Sequence, residues 1–157
     1  MQDVSERFSL KNHVAVITGA GRGIGEGIAM DFARAGAKVA LAARRTNEIE
    51  AVAERIIAAG GEAIAVTTDV TDPDALEALA EATKAAFGKL TIWVNNAGGS
   101  TMRQPMTTLP RDEWHRTIAV NLTSVYDGCM TAARHIDDGS IINISSGAGT
   151  GPVPGSG

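Results

Sequence analysis

The residues best suited to chemistry lie in one glycine-rich run, Thr18-Gly19-Ala20-Gly21-Arg22-Gly23-Ile24-Gly25. Glycine at alternate positions leaves backbone N–H groups uncovered, so an anion can approach them directly. The spacing reads G-x-x-x-G-x-G from Gly19, Gly23 and Gly25. The sixth position counted from Gly19 is Ile24, so the run is not a strict G-x-G-x-x-G, and no Gly-Lys-Ser/Thr follows to make it a P-loop. Alone, such a run equally suits a flexible turn. Four other short segments carry groups that could meet a ligand: Arg44-Arg45, Asp69-Val70, Asn95-Asn96-Ala97-Gly98 and Ser145-Ser146.

The neighbouring elements bear on the choice between those readings. Residues 13–17 are an apolar run that reads as a buried strand, and residues 26–36 read as a helix closed by a glycine. The glycine run therefore joins a strand to a helix N-terminus, whose free N–H groups and positive dipole end suit a dinucleotide pyrophosphate. Residues 37–43 form a second strand, ending at Arg44-Arg45-Thr46-Asn47. Ile49, Val52, Ala53, Ile56 and Ile57 then share one helical face, with Asn47 as N-cap and Gly60-Gly61 as the stop. Residues 63–68 make a third strand that runs into Asp69-Val70. Asp72-Pro73 opens a helix with Leu76, Leu79, Ala80 and Phe87 inward and Gly88 at its end.

Residues 90–94 are a fourth strand, residues 100–110 a loop, and a long helix runs from Arg111 to about His135. Asn121 lies inside that helix, where its propensity is poor. Residues 140–145 form a fifth strand, and the Gly/Pro-rich residues 147–157 read as loop. Strands alternating with helices imply an α/β fold: one Rossmann-type doubly wound domain over residues 1–157, strand order 3-2-1-4-5. The ligand belongs at the carboxyl ends of the strands, near the switch point between the first and fourth.

The 157 residues are 44% hydrophobic and 20% charged, enough for one domain with a real core. A formal net charge of −4 gives no electrostatic case for nucleic acid or an anionic membrane. No apolar run nears membrane-spanning length, and the first ten residues, with Asp3, Glu6 and Arg7, do not make a signal peptide. Cys129 is the single cysteine, so no internal disulfide forms; it reads as a packing residue in a protein of the reducing cytoplasm.

Taken together, Thr18-to-Gly25, Asp69-Val70, Asn95-Asn96-Ala97-Gly98, Asn121 and Ile144-Ser145-Ser146 resemble the short-chain dehydrogenase/reductase family, in order and over nearly the whole chain. The resemblance implies that Gly19, Gly23, Ile24 and Gly25 face the pyrophosphate. It implies that Asp69 meets the adenine amino group, with Val70 beside the ring. Asn96, Ala97 and Gly98 would approach the adenosine ribose and the nicotinamide side. Asn121 would hold a water of a proton relay. Ser146 would be the catalytic serine, hydrogen-bonding the substrate oxygen as charge develops, with Ser145 the alternative. The implied substrate is a small carbonyl compound or secondary alcohol, and the implied assembly a homo-oligomer. Without the family, Asp69, Asn96 to Gly98 and the serine pair read as turn residues and Asn121 as a helix distortion.

Charge bears on the cofactor. NAD-preferring sites carry Asp or Glu after the second strand for the ribose 2′-OH; here Ala43 is followed by Arg44 and Arg45. Guanidinium groups pair with a 2′-phosphate, and Arg22 adds another, which favours NADP(H) over NAD(H). As solvated surface charges these arginines would carry no preference.

The family's Tyr-x-x-x-Lys pair cannot be written here. The sole tyrosine, Tyr126, is followed four residues on by Met130, and the lysines are Lys11, Lys38, Lys84 and Lys89. A tyrosine moves a proton at a carbonyl oxygen well only when a nearby cation lowers its pKa. The chain is therefore expected to bind nucleotide without turnover, as the amino-terminal part of a larger enzyme. An exposed core face and strand edge would lower its solubility. A non-catalytic nucleotide sensor or scaffold is the second reading. A metal enzyme using His13, His115 and His135 is a third, though these lack ligand spacing. The loop of residues 100–110, with Met102, Gln104 and Met106, is expected to border the substrate site.

Overall fold

A computed structural model describes residues 7–99 and 104–147. The strands are β1 (Val14–Thr18), β2 (Lys38–Ala43), β3 (Ala63–Thr67), β4 (Ile92–Asn95) and β5 (Ser140–Asn143). The helices are α1 (Gly23–Arg34), α2 (Thr46–Ala58), α3 (Pro73–Phe87), α4 (Arg111–Ile118) and α5 (Ser124–His135). A π turn (Ala119–Thr123) joins α4 to α5, and Met106–Thr108 is a single 3-10 turn. All strand pairs are parallel, in the expected order β3-β2-β1-β4-β5.

The central strands β1, β2 and β4 are buried on both faces, which is why β1 reads as an unbroken apolar run, whereas β3 is half-buried and β5 is exposed. Ala15, Ile17, Val39, Leu41 and Val94 point to one side, against Ala29 of α1 and Ile49, Val52 and Ile56 of α2. Their neighbours Val16, Ala40, Ala42 and Trp93 point to the other, against Leu76 and Leu79 of α3 and Ala132 of α5. Each fully buried Ile or Leu contributes about 1.5–3 kcal/mol. The chain leaves β1 toward β2 on one side and pairs with β4 on the other, so the switch point lies beyond Thr18.

Helix α3 follows the sequence signals closely. Asp72 caps it by accepting from Asp74 N–H at 3.0 Å, Pro73 opens it, and Gly88 ends it at φ +83°. Thr83, not foreseen, is buried on its inner face, while Phe87 is only half-buried. Other boundaries differ. Helix α1 begins at Gly23, so Gly23 and Gly25 belong to its first turn. Helix α2 begins at Thr46, and Asn47 is inside it rather than capping it; Arg45 is the N-cap residue, with no side-chain cap. The expected long helix is interrupted at Asn121, whose Nδ2 donates to the Thr117 carbonyl at 2.9 Å inside the π turn. β5 ends at Asn143 instead of residue 145. Met102 and residues 148–157 lie outside the described residues.

Candidate functional site

The glycine turn is held from below by the end of β4. Thr18 Oγ1 donates to Val94 O at 3.2 Å and accepts from the N–H groups of Asn96 and Ala97, both at 3.0 Å. Asn96 Nδ2 answers by donating to Thr18 O at 2.8 Å and Gly19 O at 3.3 Å. Gly19 and Gly23 take left-handed backbone, φ +66° and +60°. A Cβ on Gly25 would stand 2.3 Å from Gly19 O, and one on Gly19 would stand 2.9 Å from Ala97 Cα. Glycine is thus required here for close approach as well as for turning. Arg22, the N-cap residue of α1, makes no side-chain cap, so N–H groups of the first helical turn are left for an external anion.

Above this turn lies a cleft of about 860 Å³ at the carboxyl ends of the strands. It brings together Gly19, Arg22, Gly23, Ile24, Gly25, Arg44, Arg45, Asp69, Val70, Asn96, Ala97 and Gly98 from four separate strand ends. Ile24 is 67% exposed at its wall. Sequence reasoning missed Glu48, Thr68 and Val120, which also line it. A dinucleotide fits this donor set: uncapped N–H groups for the diphosphate, guanidinium groups toward β2, and an acceptor, Asp69, at the end of β3.

Asp69 is prepared as an acceptor. Its Oδ1 takes the Thr71 N–H at 3.0 Å and the Thr71 hydroxyl at 2.8 Å. The backbone bond from Thr71 leads in holding its pKa below the ordinary carboxylate value; partial burial opposes this, and the Thr71 hydroxyl and the Arg44 charge add to it. Arg45 Nε forms an ion pair with Glu48 Oε1 at 2.9 Å. Among the described residues Arg22 and Arg44 have no ion-pair partner.

Asn121 does not line the cleft but braces its rim. Its Oδ1 accepts from Gly99 N–H at 2.8 Å and its Nδ2 donates to Gly99 O at 2.9 Å. Ser146 lies exposed, three residues past β5. The strand ends beneath it are tied together: Asn95 Nδ2 donates to Asn143 Oδ1 at 2.8 Å, and Ile144 N–H donates to Asn95 O at 2.9 Å. Cys129 is half-buried, with Asn95 Nδ2 3.5 Å from its sulfur, a polar contact rather than an apolar one. His13 meets Thr91 and His135 meets Glu77. Among the described residues no group of three or more His, Cys, Asp or Glu could hold a metal ion, and no helix is long and apolar enough to cross a membrane.

Comparison with known proteins bears on this geometry. A family model described as short chain dehydrogenase matches residues 13–157. The chain is 41% identical over 150 residues to an uncharacterized oxidoreductase of Mycobacterium tuberculosis, covering 93% of this chain and 57% of that relative. A short-chain type dehydrogenase/reductase from Mycobacterium marinum has a TM-score of 0.92 at 35% identity, covering 97% of this chain and 63% of the other. A metagenomic short-chain oxidoreductase in complex with NADP has a TM-score of 0.83 at 42% identity, covering 94% and 68%. The chain thus spans 57% of the length of that curated relative.

Proposed function

The chain belongs to the short-chain dehydrogenase family, and from that premise we propose that residues 1–157 are one nucleotide-binding domain that takes NADP(H) in preference to NAD(H). The protein it represents would be an oxidoreductase acting on a carbonyl compound or secondary alcohol. The observation that carries the reading is the glycine turn, locked to β4 by Asn96 and opening onto the uncapped N-terminus of α1. The metagenomic oxidoreductase is itself in complex with NADP, which accords with this choice of nucleotide.

The bound nicotinamide would supply or accept the hydride. This chain's residues bind and orient it. Gly19, Gly23, Ile24 and Gly25 would face the diphosphate. Arg44 and Arg45 would meet the 2′-phosphate, with Arg22 adding a third guanidinium. Asp69 and Val70, which line the cleft, would hold the adenine, and Asn96, Ala97 and Gly98 would approach the adenosine ribose and the nicotinamide side. Ser146 would donate a hydrogen bond to the substrate oxygen, which lowers the cost of charge developing there. Asn121, whose side chain is engaged with Gly99 and Thr117, would hold a relay water.

Proton transfer at the substrate oxygen needs an acid that these 157 residues do not pair with a lysine four positions on, since Tyr126 is followed there by Met130. The chain itself is therefore read as binding nucleotide without turnover, which keeps a nucleotide-binding fragment or sensor as the second reading. The test is to saturate the chain with NADPH and follow nucleotide absorbance over a panel of ketones. Saturable binding with unchanged absorbance is expected; steady NADPH oxidation contradicts the second half of the proposal.

A further inference from the structure

We propose that Glu48 is a specificity-determining residue that limits how strongly the cleft prefers NADP(H) to NAD(H); this rests on the nucleotide-binding reading above. Glu48 stands in the first turn of α2 and lines the same cleft as Arg22, Arg44 and Arg45. Its Oε1 lies 2.9 Å from Arg45 Nε, with the two side chains 26% and 54% exposed. It also leans on the glycine turn. A Cβ added to Gly21 would lie 2.8 Å from Glu48 Cβ and 3.0 Å from Glu48 Oε2. One carboxylate is thus held between the turn that faces the diphosphate and the arginines that follow β2.

That position sets a charge balance. A phosphate monoester brings about −1.5 to −2 charges near neutral pH, whereas a ribose hydroxyl brings none. Arg22 and Arg44 have no ion-pair partner among the described residues, but Arg45 already shares its charge with Glu48. Any guanidinium lent to a 2′-phosphate by Arg45 must come away from Glu48 or be screened by it, and the carboxylate itself repels the phosphate. The unphosphorylated nucleotide has no 2′-phosphate to meet either effect, and repulsion of the diphosphate by Glu48 is common to both nucleotides. Glu48 therefore acts on the ratio of the two affinities rather than on nucleotide binding in general.

The test is calorimetric titration of the full chain with NADPH and with NADH, at low and high salt, for the wild type, Glu48→Gln and Arg45→Gln. Glu48→Gln is expected to tighten NADPH about threefold to fivefold at low salt and NADH by less than about twofold, the scale of a partly exposed charge pair, with the difference shrinking in salt. Arg45→Gln leaves the Glu48 charge uncompensated and weakens NADPH selectively by a similar factor. If either variant fails to melt cooperatively, the other decides alone. Shifts equal for the two nucleotides, or none, overturn the role of Glu48. In that case wild-type binding of NADPH, and loss of its preference in Arg44→Ala, leave the nucleotide site itself standing. A wild type that binds neither nucleotide removes both.

Discussion

Asn96 Nδ2 lies 2.8 Å from the Thr18 carbonyl oxygen and 3.3 Å from that of Gly19, so a side chain at the end of β4 fixes the first peptides of the glycine turn. Thr18 returns the constraint through its hydroxyl, which accepts the Asn96 and Ala97 N–H groups. Replacing Asn96 with Ala leaves the two carbonyls without this donor and frees the turn. The expected cost is about 1–3 kcal/mol in chemical denaturation, together with at least about a tenfold loss of NADPH affinity, since a binding turn that must be ordered by its ligand binds more weakly. Unchanged affinity would mean that the clasp is structural only.

Two neighbouring glycines of α1, Gly25 and Gly27, should respond in opposite directions. Gly25→Ala drives a methyl group to 2.3 Å from Gly19 O. It should lower stability by about 1–3 kcal/mol and remove measurable nucleotide binding. Gly27→Ala meets nothing within 4 Å inside α1. It should raise stability by about 0.5–1 kcal/mol and leave the affinity alone. Thermal melts with and without NADPH separate the two.

The sequence made much of this legible because the apolar runs of β1 and β2 and the cap signals of α3, Asp72-Pro73 and Gly88, act locally. The strand ends carried the cleft residues because a parallel sheet places all its carboxyl ends on one edge. What stayed hidden depends on tertiary neighbours. Asn47 looked like a cap, yet the turn after β2 is short and α2 starts at Thr46. Glu48 belongs to no motif in the sequence; only the approach of Gly21 reveals that it lines the cleft. Asn121 did announce a disturbance through its poor helix propensity, but its bonds to Gly99, 22 residues away in sequence, could not be read from that.

Cofactor preference should follow Arg44. It has no ion-pair partner among the described residues, and its charge contributes to the lowered pKa of Asp69. Arg44→Ala should weaken NADPH about tenfold, the scale of one charge-assisted phosphate contact, while changing NADH by about twofold or less. An equal loss for both nucleotides would assign Arg44 to the adenine rather than to the 2′-phosphate.

Acid stability should report the contact between α3 and α5. Glu77 Oε2 pairs with Arg134 Nη2 at 2.8 Å, and Oε1 meets His135 Nε2. The Arg134 hydrogen bond first, then that of His135, hold the Glu77 carboxyl below its ordinary value of 4.5. A depressed carboxyl pKa stabilises the fold above the unfolded value, and the contribution disappears as pH falls through the folded one. Wild type should therefore lose melting temperature as pH drops below about 4.5. Glu77→Gln should start lower at neutral pH and show a shallower acid limb. Parallel acid limbs would remove Glu77 from the account.

The most direct measurement is a calorimetric titration of the chain with NADPH, paired with its thermal melt in the same buffer. Binding to a preformed cradle predicts a saturable heat at one site and a melting temperature that rises with NADPH concentration, by more than the rise with equal NADH. A cooperatively folded sample that gives no heat and an unmoved melt with either nucleotide would contradict the claim that this glycine turn grips a dinucleotide.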